Sequence, residues 1–254
     1  MLIRGEYKVE VKLRETFKID FDAVDFTGRM SIHGLSSYMQ QIAADHASNL
    51  DFNFYKNAGN PQFYWILSKV KYVMTSYLAW EEEMEMETYP GGYDKLCAVR
   101  LFDIYSQAGQ KIGYIIGYYI LMDAERMRPV RIKGNTGALS ILDFPYEGEK
   151  LQKIKLLGEQ LKVETRKAYY SEMDLNGHMN NSHYVKWAVD MLPFECFATH
   201  QVKCLEINYN ASIEQGTEVK LSLLQKDSTT YMVSGDSLDD EKNYFMAEMI
   251  LEVR

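Results

Sequence analysis

Asp174, Asn176 and His178 stand at alternate positions in the run Asp174-Leu175-Asn176-Gly177-His178-Met179-Asn180-Asn181, with Tyr184 and Trp187 close behind. A carboxylate, an amide and an imidazole held together can orient a water and take its proton. Imidazole is the side chain whose ordinary pKa lies near neutrality. Asp and Asn are also common turn and helix-capping residues, and Asn180 or Asn181 is expected to cap the next helix.

The surrounding residues position this run. Residues 163–172 are rich in extended-structure formers, and helical spacing begins at Ser182. The run therefore falls in a strand-to-helix turn, where helix-start N–H groups are free to bind an oxygen.

The same pattern occurs earlier, as Asp25-Phe26-Thr27-Gly28-Arg29-Met30-Ser31-Ile32, 149 positions upstream (25 against 174). Asp, Gly and Met are identical, but Thr27 and Arg29 stand where Asn176 and His178 stand. The next helices agree in register, with Leu35, Tyr38, Met39 and Ile42 matching Tyr184, Trp187, Ala188 and Met191. Matching context on both sides argues for an internal duplication.

Strand patterns follow each motif. In the first half they cover residues 63–74, 83–88 (stopping at Pro90-Gly91-Gly92), 96–106 and 111–122, with a hairpin signal at Gln107-Ala108-Gly109-Gln110. In the second they cover 203–210, 218–225, 229–234 and 244–253; residues 7–21 form a strand before the first motif. The reading is α+β: each half has one long helix packed on an antiparallel sheet. Residues 1–140 form the first repeat, 141–160 a connector with some local helix, and 161–254 the second repeat.

The chain has 254 residues, 46% hydrophobic content and a net charge of −8, which suits a soluble protein and gives no sign of a nucleic-acid partner. No apolar run is long enough to span a bilayer. The N-terminal residues lack the apolar core of a signal peptide, so a cytoplasmic protein is expected. Cys97, Cys196 and Cys204 show no metal-ligand spacing and are expected as reduced thiols. The five histidines include no HxxxH pair and no phosphate-binding glycine loop is present, so neither metal nor cofactor is expected.

Two such halves, with D-x-N-x-H-x-N-N-x-x-Y opening the second, resemble the acyl-acyl-carrier-protein thioesterases of plants and bacteria, which are tandem (double) hotdog folds. Trp65-Ile66-Leu67-Ser68, Tyr89-Pro90-Gly91, Tyr119-Ile120-Leu121-Met122-Asp123 and Arg128-Pro129-Val130-Arg131-Ile132 also resemble that family's first half. No long extension of the plastid-transit kind precedes them, so the bacterial type is the closer resemblance.

The resemblance implies hydrolysis of the thioester between a fatty acyl chain and the 4′-phosphopantetheine arm of acyl carrier protein, releasing free fatty acid. It implies Asp174, Asn176 and His178 as catalytic residues, one site per tandem pair, and an acyl tunnel supplied largely by the first half. Where the plant-type pattern has a catalytic glutamate three residues after a tyrosine, this chain has Ser212 after Tyr209. Glu214, two residues on, would share a face with Ser212 on a regular strand. A step of about 6.6 Å inclines the reading toward Ser212 holding the water. His178 then acts as the base.

Candidate substrate-binding residues are Tyr38, Met39, Ile42, Tyr64, Ile66 and Tyr118 for the tunnel, with Asn180 and Asn181 at the motif. The basic run Arg126, Arg128, Arg131 and Lys133 is the candidate surface for an acidic carrier protein. Two other functions remain open: acyl-CoA hydrolysis by the same fold, and a non-catalytic acyl-binding module. The oligomeric expectation is a monomer or a homodimer.

Overall fold

The computed structural model describes residues 2–4, 7–9, 11–50, 63–134 and 141–254. Residue 10 of the expected first strand and residues 135–140 lie outside the described residues. In chain order the elements are β1 (Leu2–Arg4), β2 (Tyr7–Val9), β3 (Leu13–Lys18), α1 (Ile32–Asn49), β4 (Phe63–Met74), β5 (Glu83–Asp94), β6 (Cys97–Ser106), β7 (Lys111–Asp123) and β8 (Arg128–Pro129). The second half follows with β9 (Glu159–Lys167), α2 (Asn181–Asp190), α3 (Cys196–Thr199), β10 (His200–Tyr209), β11 (Glu218–Gln225), β12 (Thr230–Asp236) and β13 (Asn243–Val253).

All but β1 and β2 join one antiparallel sheet of 11 strands, ordered β3-β5-β6-β7-β4-β10-β13-β12-β11-β9, with β8 beside β7. The order reads equivalently inward from both ends and meets at β4–β10, the strand pairing that joins the halves among the described residues. There Cys204 lies opposite Val73 and Asn208 opposite Lys69. This is the double hotdog architecture.

Local sequence explains the layers. On β5, Met84, Met86 and Thr88 have no accessible surface, while Glu85 and Glu87 point away and pair with Arg14 (2.6 Å) and Lys12 (2.9 Å). That is the period-2 pattern of a half-buried strand. Ser31 Oγ caps α1 by accepting from Gly34 N (2.9 Å). The helix buries Leu35, Tyr38, Met39, Ile42 and His46 against the sheet. On the opposite face, residues after 141 cross the back of the sheet. Tyr146 and Leu151 pack on Val99, Ile116 and Tyr118, and Ile154 N donates to Asn208 Oδ1 (2.8 Å).

Three expectations need correcting. The first strand is two, β2 and β3. Strand β5 does not stop at Pro90 but continues to Asp94 through a bulge between Pro90 and Gly92. Its partner β3 reaches only Thr88, so the missing N–H of Pro90 faces an open edge. The second helix is short. Pro193 cannot continue it, and α3 is a separate turn of helix.

Candidate active site

The Asp174 motif forms a closed turn. Asp174 N donates to His178 O (2.7 Å) and Gly177 N to Asp174 O (3.0 Å). Asp174 Oδ1 accepts from Asn176 N (2.7 Å) and His178 N (3.2 Å), and Asn176 Nδ2 points to Asp174 Oδ2 (3.4 Å). Gly177 sits at φ +75° with open space where a Cβ would go, so backbone conformation, not crowding, requires glycine. Asp174 thereby holds the backbone that presents His178.

A second segment meets the turn. Met179 N donates to Ile213 O (2.8 Å), and His178 lies opposite Glu214 in an antiparallel bridge. This hydrogen-bond pattern makes His178 and Glu214 a non-hydrogen-bonded pair, the kind with Cα atoms about 4.5 Å apart and adjacent side chains. The premise of a regular strand running from Tyr209 fails, because β10 ends at that residue. The chain then bends, and the residue brought opposite the imidazole is Glu214, not Ser212. Tyr184 fixes the bend, its hydroxyl donating to Ala211 O (3.3 Å) and accepting from Ile213 N (3.0 Å).

The helix start behind the turn is anchored twice. Asn180 Oδ1 accepts from Ser182 N (2.9 Å), so Asn180 is the cap and its side-chain carbonyl is committed to the helix, not to substrate. Asn181, first in α2, uses its backbone carbonyl to accept from Tyr209 Oη (3.2 Å). Glu172, which the sequence reading missed, is buried beneath the turn. It accepts from Trp187 Nε1 (2.7 Å) and Tyr169 N (2.9 Å). No spacing rule links Glu172 to Trp187; only the packed turn brings them together.

The six tunnel candidates do not form one wall. Met39 and Ile42 have no accessible surface and pack as core. Tyr38 turns its hydroxyl to Asp20 N (2.9 Å). Tyr64 Oη lies 3.8 Å from Met127 Sδ, Ile66 is 40% exposed, and Tyr118 packs with Tyr146 on the face away from α1. Tyr64 and Ile66 lie opposite Met122 and Ile120, which share a face of β7 with Tyr118, so these three point away from the helix that carries Tyr38, Met39 and Ile42.

Facing α1 instead is Arg100 of β6, whose Nη1 lies 2.7 Å from His46 Nδ1 and 3.4 Å from Thr88 Oγ1. Burial lowers its pKa. It shares the α1-facing side with Phe102 and Ile104, so an arginine on the apolar side of a strand was the missed signal.

Arg126, Arg128, Arg131 and Lys133 are all exposed around the β7–β8 turn. Strand β7 ends at Asp123, opposite Phe63 at the start of β4, and β10 runs antiparallel to β4. The basic run and the Ser212–Glu214 bend therefore lie toward the same end of the strands. At the contact between α1 and α2, the rings of His33 and His183 are 5.8 Å apart. Burial, with His183 and Lys186 adding, pushes His33 down to about 4, and burial also lowers His183. Among the described residues, no helix is long and apolar enough to cross a membrane.

Family models for the acyl-ACP thioesterase N-terminal and C-terminal domains match residues 10–139 and 157–249. The chain is similar to oleoyl-acyl carrier protein thioesterase 2, chloroplastic, of Arabidopsis thaliana. They are 23% identical over 219 residues, covering 80% of this chain and 60% of that protein. The chain thus spans about three fifths of the length of such curated relatives. Among solved structures, an acyl-ACP thioesterase from Bacteroides thetaiotaomicron superposes with a TM-score of 0.83 at 23% identity, covering 95% of this chain and 98% of that one. The 12:0-ACP thioesterase of Umbellularia californica superposes with a TM-score of 0.79 at 16% identity over the full length of both.

Proposed function

Because this chain belongs to the acyl-ACP thioesterase family, we propose that it hydrolyses fatty acyl-acyl carrier protein to free fatty acid and carrier thiol. The observation that carries the reading is the His178–Glu214 pair, held by the Asp174 turn on one side and by Tyr184 on the other. His178 takes a proton from a water whose oxygen attacks the thioester carbon. The C–S bond breaks, and the proton passes to the departing pantetheine sulfur. Glu214 stabilises the imidazolium formed in between, and Asn176 orients the water or the thioester. General-base assistance of this kind is worth about 10²–10⁴ in rate, enough for an already reactive ester.

The N-terminal half, residues 1–140, houses the acyl chain; residues 161–254 carry the chemistry. The basic run from Arg126 to Lys133 docks the acidic carrier. The β4–β10 seam already joins two hotdog units within one chain, which favours a monomer. A cytoplasmic location fits fatty acid synthesis on a soluble carrier. The test is release of fatty acid from a mixed acyl-carrier-protein pool and from matched acyl-CoA thioesters. Higher kcat/KM on the carrier-bound series supports the proposal. Preference for CoA would reassign the carrier, and retained acyl chains without hydrolysis would make the protein a binding module.

A further inference from the structure

A cavity of about 480 Å³ is lined by the Asp25–Ile32 turn, the last turn of α2 and the segment leading to α3. It includes Tyr77, just beyond β4, and Val202, near the start of β10. It therefore lies at the opposite end of the β4–β10 seam from Glu214.

Its floor is apolar: Met30, Ile32, Leu192 and Val202 are each at most 5% exposed. Phe26 and Phe194 pack at its lip, their ring centroids 4.3 Å apart. Its mouth is charged. Asp25 is occupied by Arg254 (3.1 Å), and Asp190 by Arg166 (2.7 Å). Arg29 donates to Tyr77 O (2.9 Å), but neither it nor Lys186 has an ion-pair partner among the described residues. Against these two cations the mouth sets one remaining acid, Asp22. His33, held down near 4 by burial, adds no charge at neutral pH.

We propose that this cavity binds a fatty carboxylate, with the head group at the Arg29–Lys186 mouth and the alkyl chain over Met30, Val189 and Phe197. The volume suits a small ligand, and an apolar pocket with a few convergent polar groups is the usual form of such a site. Hydrolysis there is excluded by chemistry. A guanidinium stays protonated and cannot act as a base, and Ala79 stands opposite Arg29 where Glu214 stands opposite His178. The ligand is of the class the catalytic half releases; that link rests on the proposed activity, whereas the binding site itself does not.

Equilibrium dialysis of the full chain with radiolabelled dodecanoate, below its micellar range, tests the site. Lys186→Glu reverses the mouth, and Val189→Trp fills the chamber. Both should weaken dodecanoate binding at least tenfold, and His178→Ala should leave this class of binding in place. Circular dichroism checks that the variants remain folded, and Lys186→Gln, which removes the charge without reversing it, gives an intermediate loss. Undiminished binding in both folded variants would overturn the proposal, as would binding lost only in His178→Ala. Should the protein hydrolyse no thioester yet lose dodecanoate with Val189→Trp, the site stands and the catalytic reading falls.

Discussion

The Asp25 and Asp174 turns share a backbone and differ in what it presents. In both, the aspartate N–H donates to the residue four positions on, the glycine N–H returns to the aspartate carbonyl, and glycine takes a left-handed conformation at φ +73° or +75°. In both, the methionine N–H donates to a facing segment, at Leu78 O or Ile213 O, each 2.8 Å away. The side chains then diverge. His178 faces Glu214, whereas Arg29 faces Ala79; both aspartates accept from the N–H two residues on, but Asp25 is also bound by Arg254, whereas Asp174 also holds the His178 N–H. The aspartate and glycine are thus retained because the turn needs them. The two turns differ in the few side chains that one shared frame presents.

Exchanging or deleting those positions separates the frames. His178→Ala should lower kcat by about 10²–10⁴ with little change in Tm, whereas Arg29→Ala should leave kcat within about twofold and lower Tm by a few degrees. Steady-state kinetics beside thermal melts reads both, and a folded His178→Ala enzyme of near-normal kcat would sink the base assignment. Next in size, Glu214→Gln should reduce kcat at least tenfold, equivalent to about 1.4 kcal/mol of transition-state stabilisation, while Ser212→Ala changes little. The reverse pattern would return the role to the hydroxyl.

Asp174→Ala should cost both activity and about 1–3 kcal/mol of stability, since it strips an acceptor from the turn's N–H groups. Asp25→Ala should lower stability alone, measured by urea unfolding. Reversing Arg128 and Arg131 to Glu should raise KM for acyl-carrier protein several-fold, in keeping with electrostatic steering, and leave a short acyl-pantetheine unaffected. An equal rise on both substrates would assign the arginines to packing.

The smallest effect lies where the helices meet. His33 has a folded pKa pushed from 6.5 to about 4, so the unfolded chain binds the proton more readily. Its contribution is undiminished above pH 6.5, and stability falls as pH drops from there toward 4. The opposing groups are His183, Lys186 and Asp190. Replacing His33 by Ser, the residue its second-half counterpart Ser182 carries, should flatten that slope in denaturation measured across the window.

Local pattern sufficed wherever the physics is local. The two-fold alternation of β5 and the 3.6-residue stripe of α1 reflect which side chains leave water. The glycine at each turn reflects a conformation that other residues rarely adopt. The 149-residue repeat was therefore legible, as was the clustering of Asp174, Asn176 and His178, which are neighbours in the chain. Which of the two candidates, Ser212 or Glu214, faces His178 was not legible, because it depends on where β10 ends and how the chain bends around the Tyr184 hydroxyl. Nor were the faces of Tyr64 and Ile66, since one bulge between Leu67 and Lys69 of β4 resets the alternation that a sequence reading must assume regular. Glu172 with Trp187, Arg100 with His46, and Arg254 with Asp25 are contacts between distant segments. Such pairings are set when the sheet and helices pack, and no spacing within a single segment encodes them.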